Sequence, residues 1–300
     1  MRLQGYAQEQ YLERATELVV ACRKEDPLGG MWDVGDIHWW WRDGGYENPE
    51  TQLFLEGENG GDAQGMILLS RQYATFDYEM RPGLEHTEIG LAEFRVGLDG
   101  LAKLRRGGGG PATVSFFIQE NHSALLRAAA ACGYASHQKG YTQLTLGLPK
   151  TVAKTPVDTF FEVRTIVDAD FENGQPPVIR TEPSKFSRIL NAPLYRRDQH
   201  LVAVSRESEV IAECLFWIDE QNAIGVFEPI ETKTEFRRRG AARALLTEGL
   251  NRMNARNVST AKLSQYTDNQ PASHLYQSLG FERQFTRGVY SSKSAQMPFP

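Results

Sequence analysis

Hydrophobic and polar positions along this chain pass twice through the same order of elements. In the second half, Gln199-His200-Leu201-Val202-Ala203-Val204 alternates as a strand, Arg206-Glu207-Ser208 turns, and Val210 to Asp219 predicts a second strand. The first half runs through Gln52-Leu53-Phe54-Leu55, the turn-rich Gly57-Glu58-Asn59-Gly60-Gly61-Asp62 and a strand at Gly65-Met66-Ile67-Leu68-Leu69. Helical spacing over Leu98 to Arg106 stops at Gly107-Gly108-Gly109-Gly110-Pro111. Thr113 to Ile118 then predicts a strand, and Asn121-x-x-Ala124 opens a helix that ends at Gly133-Tyr134. The later stretch answers with a helix from Ala241 to Met253, a strand from Thr260 to Ser264, then Asn269 and Gly280-Phe281. Gly133 and Gly280 lie 147 positions apart in a chain of 300 residues, which predicts a duplicated domain rather than a short repeat. We place the two domains at 1–150 and 158–300, with the polar, proline-containing Leu148 to Asp158 as the joint.

Chemistry concentrates in the second half. Arg237-Arg238-Arg239-Gly240-Ala241-Ala242 follows a strand and runs into helical Arg243-Ala244-Leu245-Leu246-Thr247-Glu248-Gly249-Leu250. Such a loop presents backbone N–H groups and a helix N-terminus, with Gly240 permitting close approach and Ala242 too small to obstruct it. This arrangement suits a pyrophosphate, so a phosphorylated cofactor is expected. Further on stands Asn269-x-x-Ala272-x-x-x-Tyr276-x-x-x-Gly280-Phe281. From about Ala223 to Phe281 the two segments together resemble the acyl-CoA loop and the following helix of the GNAT superfamily of acyl-CoA-dependent N-acyltransferases. The resemblance implies an α/β chain of two tandem GNAT-like domains, each a mixed, mainly antiparallel sheet flanked by helices.

It also implies roles. Ala223 to Thr232 alternates as a strand but contains Pro229, which cannot donate to a ladder, so the strand is expected to bulge or splay there. In the family the pantetheine of acetyl-CoA pairs with such a strand, which here assigns it the backbone around Ile230 and Thr232, and assigns the pyrophosphate Arg237 to Ala242. Family members often carry an aliphatic residue where Thr232 stands and a proline where Thr234 stands, changes that a main-chain role tolerates. Strand alternation predicts Glu228, Ile230 and Thr232 on one face, with Glu228 near the incoming amine as general base. A water chain or His200 are the alternatives. Asn269 is expected to cap a helix on which Ala272 leaves room for the pantetheine. Tyr276, four residues on, then meets the thioester sulfur as proton donor to the leaving thiolate.

The first half lacks these parts. Phe94-Arg95-Val96-Gly97-Leu98 has no Arg-x-x-Gly-x-Gly/Ala spacing, so Arg95 reads as a surface charge and Gly97 as a turn residue, and Ala128 or Ala129 stands where Tyr276 does. This domain is expected to be catalytically silent, walling the substrate pocket, packing on the active half or binding something unrelated. A net charge of −5 argues against a nucleic-acid partner and suits a cationic amine. No apolar run approaches the ~20 residues needed to span a bilayer, and Met1 to Tyr6 lacks the apolar core of a secretion signal, so no membrane role and a cytoplasmic location are expected. Cys22, Cys132 and Cys214 read as buried free thiols. The six histidines include no metal-binding pair, so no metal is expected. His38-Trp39-Trp40-Trp41 reads as core rings with one or two lining the groove between domains, and Asp198 as a satisfied loop carboxylate. The reading is an N-acetyltransferase, monomeric or homodimeric, that moves an acetyl group from acetyl-CoA to a primary amine of a small molecule or peptide by direct attack in a ternary complex. Its alternative is a non-catalytic acyl-CoA-binding sensor or scaffold.

Overall fold

The computed structural model describes residues 2–6, 8–40, 52–57, 61–70, 74–106, 114–148, 160–171, 178 and 189–292. Strands β1 (Arg2–Gln4), β2 (Gln52–Glu56), β3 (Ala63–Ser70) and β4 (Thr75–Met80) run antiparallel in sequence, β5 (Ser115–Gln119) joins β4 in parallel, and β6 (Tyr134–Gly147) ends the first half. The second half repeats the plan. Strands β7 (Phe161–Thr165), β8 (His200–Ser205), β9 (Val210–Asp219) and β10 (Ile224–Thr232) are antiparallel, β11 (Thr260–Tyr266) is parallel to β10, and β12 (Glu282–Ser292) closes the order. Helices α1 (Gln8–Glu25), α2 (Val34–Trp40), α3 (Glu88–Arg106) and α4 (Ser123–Ala131) belong to the first half, α5 (Ala241–Ala255) and α6 (Gln270–Ser278) to the second. Two tandem copies of one α/β plan, mainly antiparallel, are therefore present.

The copies exchange their last strands. The sheet order is β1-β2-β3-β4-β5-β12-β6-β11-β10-β9-β8-β7, so β12 lies between β5 and β6, and β6 lies between β12 and β11. Arg287 to Ser291 face Gln119 to Ser115, and Thr260 to Tyr266 face Gly147 to Tyr141, all antiparallel. One twelve-stranded sheet results, with each half's ladder completed by the other half's final strand.

Side-chain alternation gives each stretch of sheet two covered faces. Phe76, Phe94, Leu98, Phe116 and Leu125 form a core under α3 and α4, with Phe76 and Phe116 stacked at 4.8 Å. On the other face α1 and α2 bury Leu18, Cys22, Ile37, Phe54 and Met66. Under α5 and α6, Leu245, Leu246, Leu250 and Met253 meet Leu201, Phe216, Phe227 and Leu263. Helix α2 reaches beyond its own half, because a Cβ on Gly35 would lie 2.3 Å from the Trp217 ring on β9. Only glycine lets the helix sit that close.

Several expectations are corrected. Gly97 is no turn residue but lies within α3, where a Cβ would come 2.6 Å from Phe76. The first-half counterpart of the Arg237 to Ala242 loop is consequently the segment after Met80, not Phe94 to Leu98. Cys132 is exposed, since it ends α4 on the solvent side, whereas Cys22 and Cys214 are buried. His38 is buried with its Nε2 3.1 Å from Thr16 Oγ1. The side chains of Trp39 and Trp40, Trp41, and the joint from 149 to 158 lie outside the described residues. Among the described residues no helix is long and apolar enough to cross a membrane.

The exchange predicts how the chain behaves when cut. A fragment beginning at residue 155 keeps β11 but loses β6, leaving the edge from Thr260 to Tyr266 unpaired. It is expected to aggregate in size-exclusion chromatography, and co-expression with residues 1–154 is expected to return one soluble complex. A soluble, cooperatively unfolding monomer of the fragment alone would show that β12 can fold back beside β11.

Candidate functional site

The site begins where β10 leaves its neighbour. Parallel pairing with β11 covers only Ile224 to Phe227, opposite Thr260 to Leu263, while pairing with β9 continues to Thr232. Phe227 faces Phe216 and Ile230 faces Cys214, so three steps on β10 match two on β9: Glu228 and Pro229, joined by a cis peptide, form a bulge. The splay expected from Pro229 is there. The Lys233 N–H bonds the Ile211 carbonyl at 2.9 Å, which fixes the alternation of the ladder. Glu231 and Lys233 point at β9, so the backbone N–H and C=O groups of Ile230 and Thr232 point into the opened side.

The same bulge overturns one expectation. Phe227 and Ile230 both pack toward the core under α5, so Glu228 turns to the opposite face rather than sharing one with Ile230 and Thr232. There it meets the first half. Trp217 Nε1 donates to the Glu228 carbonyl at 2.9 Å, and its carboxyl group lies against Asp36 of α2. Around them Lys262 Nζ bonds Asp33 Oδ1 at 2.7 Å, and Arg287 donates to the Gly30 carbonyl at 3.0 Å and to Gln143 Oε1 at 3.1 Å. Tyr141 stacks on Tyr266 at 4.7 Å. Burial pulls Lys262 and Arg287 below their ordinary values, with the neighbouring carboxylates opposing it.

At the other end of the splay lies the arginine loop. Arg237, Arg238, Arg239 and Gly240 are exposed, and Arg239 rests over Phe160 at 4.8 Å and Phe236 at 5.6 Å. Arg238 and Gly240 take left-handed backbone with φ of 63° and 86°, and Gly240 stands at the N-cap of α5. No side chain caps this helix, and a Cβ on Gly240 would meet nothing within 4 Å. The first N–H groups of α5, at Ala241 and Ala242, therefore look out beside three cations. The first half shows the contrast. There Thr87 Oγ1 accepts from the Gly90 N–H at 3.1 Å, capping α3, and the residues around that turn are Glu85 and Glu88. β4 also leaves β5 early, after Phe76, and a cavity of about 370 Å³ opens there among Tyr78, Glu79, Gln119 and His122.

Helix α6 closes the second splay. Asn269 Oδ1 accepts from the Ala272 N–H at 3.2 Å, so Asn269 is the cap, and one turn on Tyr276 is buried with its ring 6.2 Å from Phe281. Burial, then the nearby Cys214, pushes the phenol above its usual range. Cys214 is the β9 partner of Ile230, so Tyr276 sits under the bulged part of β10. His200 is fully buried between Tyr195 (3.1 Å) and Glu213 (2.6 Å). Asp198 pairs with Arg196 at 3.1 Å. Among the described residues no group of three or more His, Cys, Asp or Glu could hold a metal ion. Asp36 was not legible as a site residue, because nothing in its local sequence points across to β10.

Residues 162–281 match the Acetyltransferase (GNAT) family. No curated protein matches the chain. Among solved structures, a GCN5-related N-acetyltransferase from Sphaerobacter thermophilus superposes over 97% of this chain and 95% of its own, with a TM-score of 0.65 at 17% identity. A tandem GNAT protein from the clavulanic acid biosynthesis pathway aligns over 99% of both chains, with a TM-score of 0.64 at 14% identity. A glucosamine N-acetyltransferase region of a fungal multi-domain GH3 β-N-acetylglucosaminidase covers 96% of this chain and 38% of that one, with a TM-score of 0.60 at 12% identity.

The α6 cap carries its own test. Asn269→Ala removes the acceptor for the Ala272 N–H and is expected to cost about 1 kcal/mol, read as a lower urea midpoint with an unchanged slope. An unchanged midpoint would mean that solvent replaces the cap without loss.

Proposed function

We propose that the protein transfers an acyl group, acetyl in the simplest case, from acyl-CoA to a primary amine; residues 162–281 match the Acetyltransferase (GNAT) family and the chain superposes on a tandem GNAT protein, which supports this reading. The observation that carries this reading is the opened edge of β10, which leads from the outward-facing backbone groups of Ile230 and Thr232, the Thr232 carbonyl now meeting Arg237 Nε at 3.4 Å, to the uncapped start of α5. Those groups suit the amides of a pantetheine arm, and Arg237, Arg238, Arg239, Gly240, Ala241 and Ala242 suit its pyrophosphate. Ala272 leaves the arm room beside α6.

In this reading the acceptor enters as an ammonium and gives one proton to Glu228, directly or through water. Its lone pair attacks the thioester carbonyl carbon, forming the C–N bond, and the tetrahedral intermediate collapses by breaking the C–S bond. Tyr276, kept protonated by burial, gives its proton to the thiolate and is restored by the proton that the new amide nitrogen sheds. The sum is one amide, one thiol and one proton released to solvent.

Two substitutions test the roles. Tyr276→Phe keeps the ring packed on Phe281, so stability is expected to stay near the parent while turnover falls roughly 10²-fold. Parent-like turnover at saturating acetyl-CoA would leave the phenol a packing residue. Gly240→Glu places a carboxylate at the α5 N-terminus and costs about 1 kcal/mol for left-handed backbone. It is expected to raise the KM for acetyl-CoA well above any change in the KM for the amine; unchanged acetyl-CoA binding by calorimetry would show that the loop is not the pyrophosphate site.

A further inference from the structure

A buried carboxyl group that meets β10 belongs to the first half. Asp36 is 8% exposed, and its Oδ2 accepts from the Asp33 N–H at 2.8 Å. Its Oδ1 is buried and takes no N–H donor among the described residues, and the Asp36 carboxyl group lies within hydrogen-bond reach of the carboxyl group of Glu228. Two carboxyl groups hydrogen-bond to each other only when a proton lies between them. The backbones that carry the two groups are held in place. Gly35 holds α2 flush against Trp217, and the Trp217 indole holds the Glu228 carbonyl at 2.9 Å.

We propose that Asp36, supplied by the first half of the chain, is a positioning residue for Glu228, and that the two carboxyl groups hold one proton in common, the proton taken from the incoming ammonium. The inference rests on the acyl-transfer reading and extends it, since it makes the first half part of the acceptor site. Among the described residues, the groups around the pair are Asp33 on the approach to α2, Lys262 and Tyr266 on β11, Arg287 on β12 and Tyr141 on β6, with Arg23 and Glu79 paired behind Arg287. Counting Asp33, Asp36, Glu79 and Glu228 against Arg23, Lys262 and Arg287, the fully ionised cluster carries one surplus negative charge. One proton on the pair neutralises it, and so does one bound ammonium. The acceptor class is therefore a compact primary ammonium. It displaces the shared proton to solvent on binding, then returns its own to the pair as the nitrogen becomes nucleophilic. Burial, then the Glu228 charge, then Asp33 raise the Asp36 carboxyl well above its ordinary range, in the direction this exchange needs.

The test uses the full chain with acetyl-CoA and three amine probes: glucosamine, putrescine and tetralysine. Asp36→Asn keeps the side-chain shape. It is expected to bind acetyl-CoA as the parent does and to lose about 10- to 100-fold in kcat/KM for the amine. The acid limb of its pH profile is expected to move down by about one unit, because Glu228 without a like charge beside it binds its proton less tightly. Asp36→Glu restores the carboxyl group and is expected to recover part of the loss. A parent-like profile in Asp36→Asn overturns the inference and leaves the acyl-transfer reading standing. A parent that binds acetyl-CoA yet acetylates none of the probes overturns that reading, and the inference with it. If Asp36→Asn fails to bind acetyl-CoA, the parent decides: an acid limb in the ordinary carboxylate range near 4 overturns the shared proton.

Discussion

The exchange of β6 and β12 is the constraint on which the rest of the molecule depends. A strand buried in the middle of a sheet must satisfy its N–H and C=O groups on both sides, and each of these two strands does so with one neighbour from either half. Neither half has a complete ladder alone. The exchange thus converts a duplication, which by itself would give two independent domains, into one sheet whose centre belongs to both. It also fixes geometry at the seam. Arg287 on β12 and Gln143 on β6 lie on strands that cannot slide without breaking the registers on both sides.

Buried charge collects at this seam for the same reason. On the face away from α5, strands of the second half present Lys262 and Arg287, and the first half covers them with Asp33, Asp36 and Glu79. Single buried charges of this kind would cost several kcal/mol each, and burial in partnership offsets much of that. Such pairs contribute little net stability compared with apolar packing, but each becomes expensive when its partner is missing. Misaligned halves would leave Lys262 or Asp33 alone in the interior, so the ion pairs specify the docking that the exchanged strands permit.

Much of the site was legible because it depends on local rules. Pro229 cannot complete a ladder, Gly240 tolerates left-handed backbone, Asn269 caps with its own side chain, and Tyr276 follows Ala272 by one helical turn. Each is a statement about neighbours in sequence. What was not legible needed a partner distant in the chain. Alternation placed Glu228 beside Ile230, but the bulge adds a residue and reverses the face, and the extent of a bulge is set by pairing with β9. The repeat offset revealed two copies of a plan without revealing which copy's strand completes which ladder. Asp36 matters only because a glycine next to it lets α2 approach Trp217, a residue 182 positions away from Gly35.

The two halves keep the same opening and treat it differently. In both, the fourth strand leaves the fifth after a short parallel contact, so the splay is a property of the shared plan and not of one activity. What separates them is the helix that follows. In the first half a threonine side chain occupies the helix start and acidic residues surround it, which consumes a donor and repels anions. In the second half no side chain caps the helix and three arginines precede it. A duplicated domain can therefore lose affinity for a phosphorylated ligand through changes in a single turn, while its sheet, its helices and its cavity persist. The capped, acid-flanked start of α3 suits such a ligand less than the start of α5, and the first half also meets the other opening. It stands over the face of β10 that α5 leaves bare, and one side chain it brings against Glu228 is a second carboxylate.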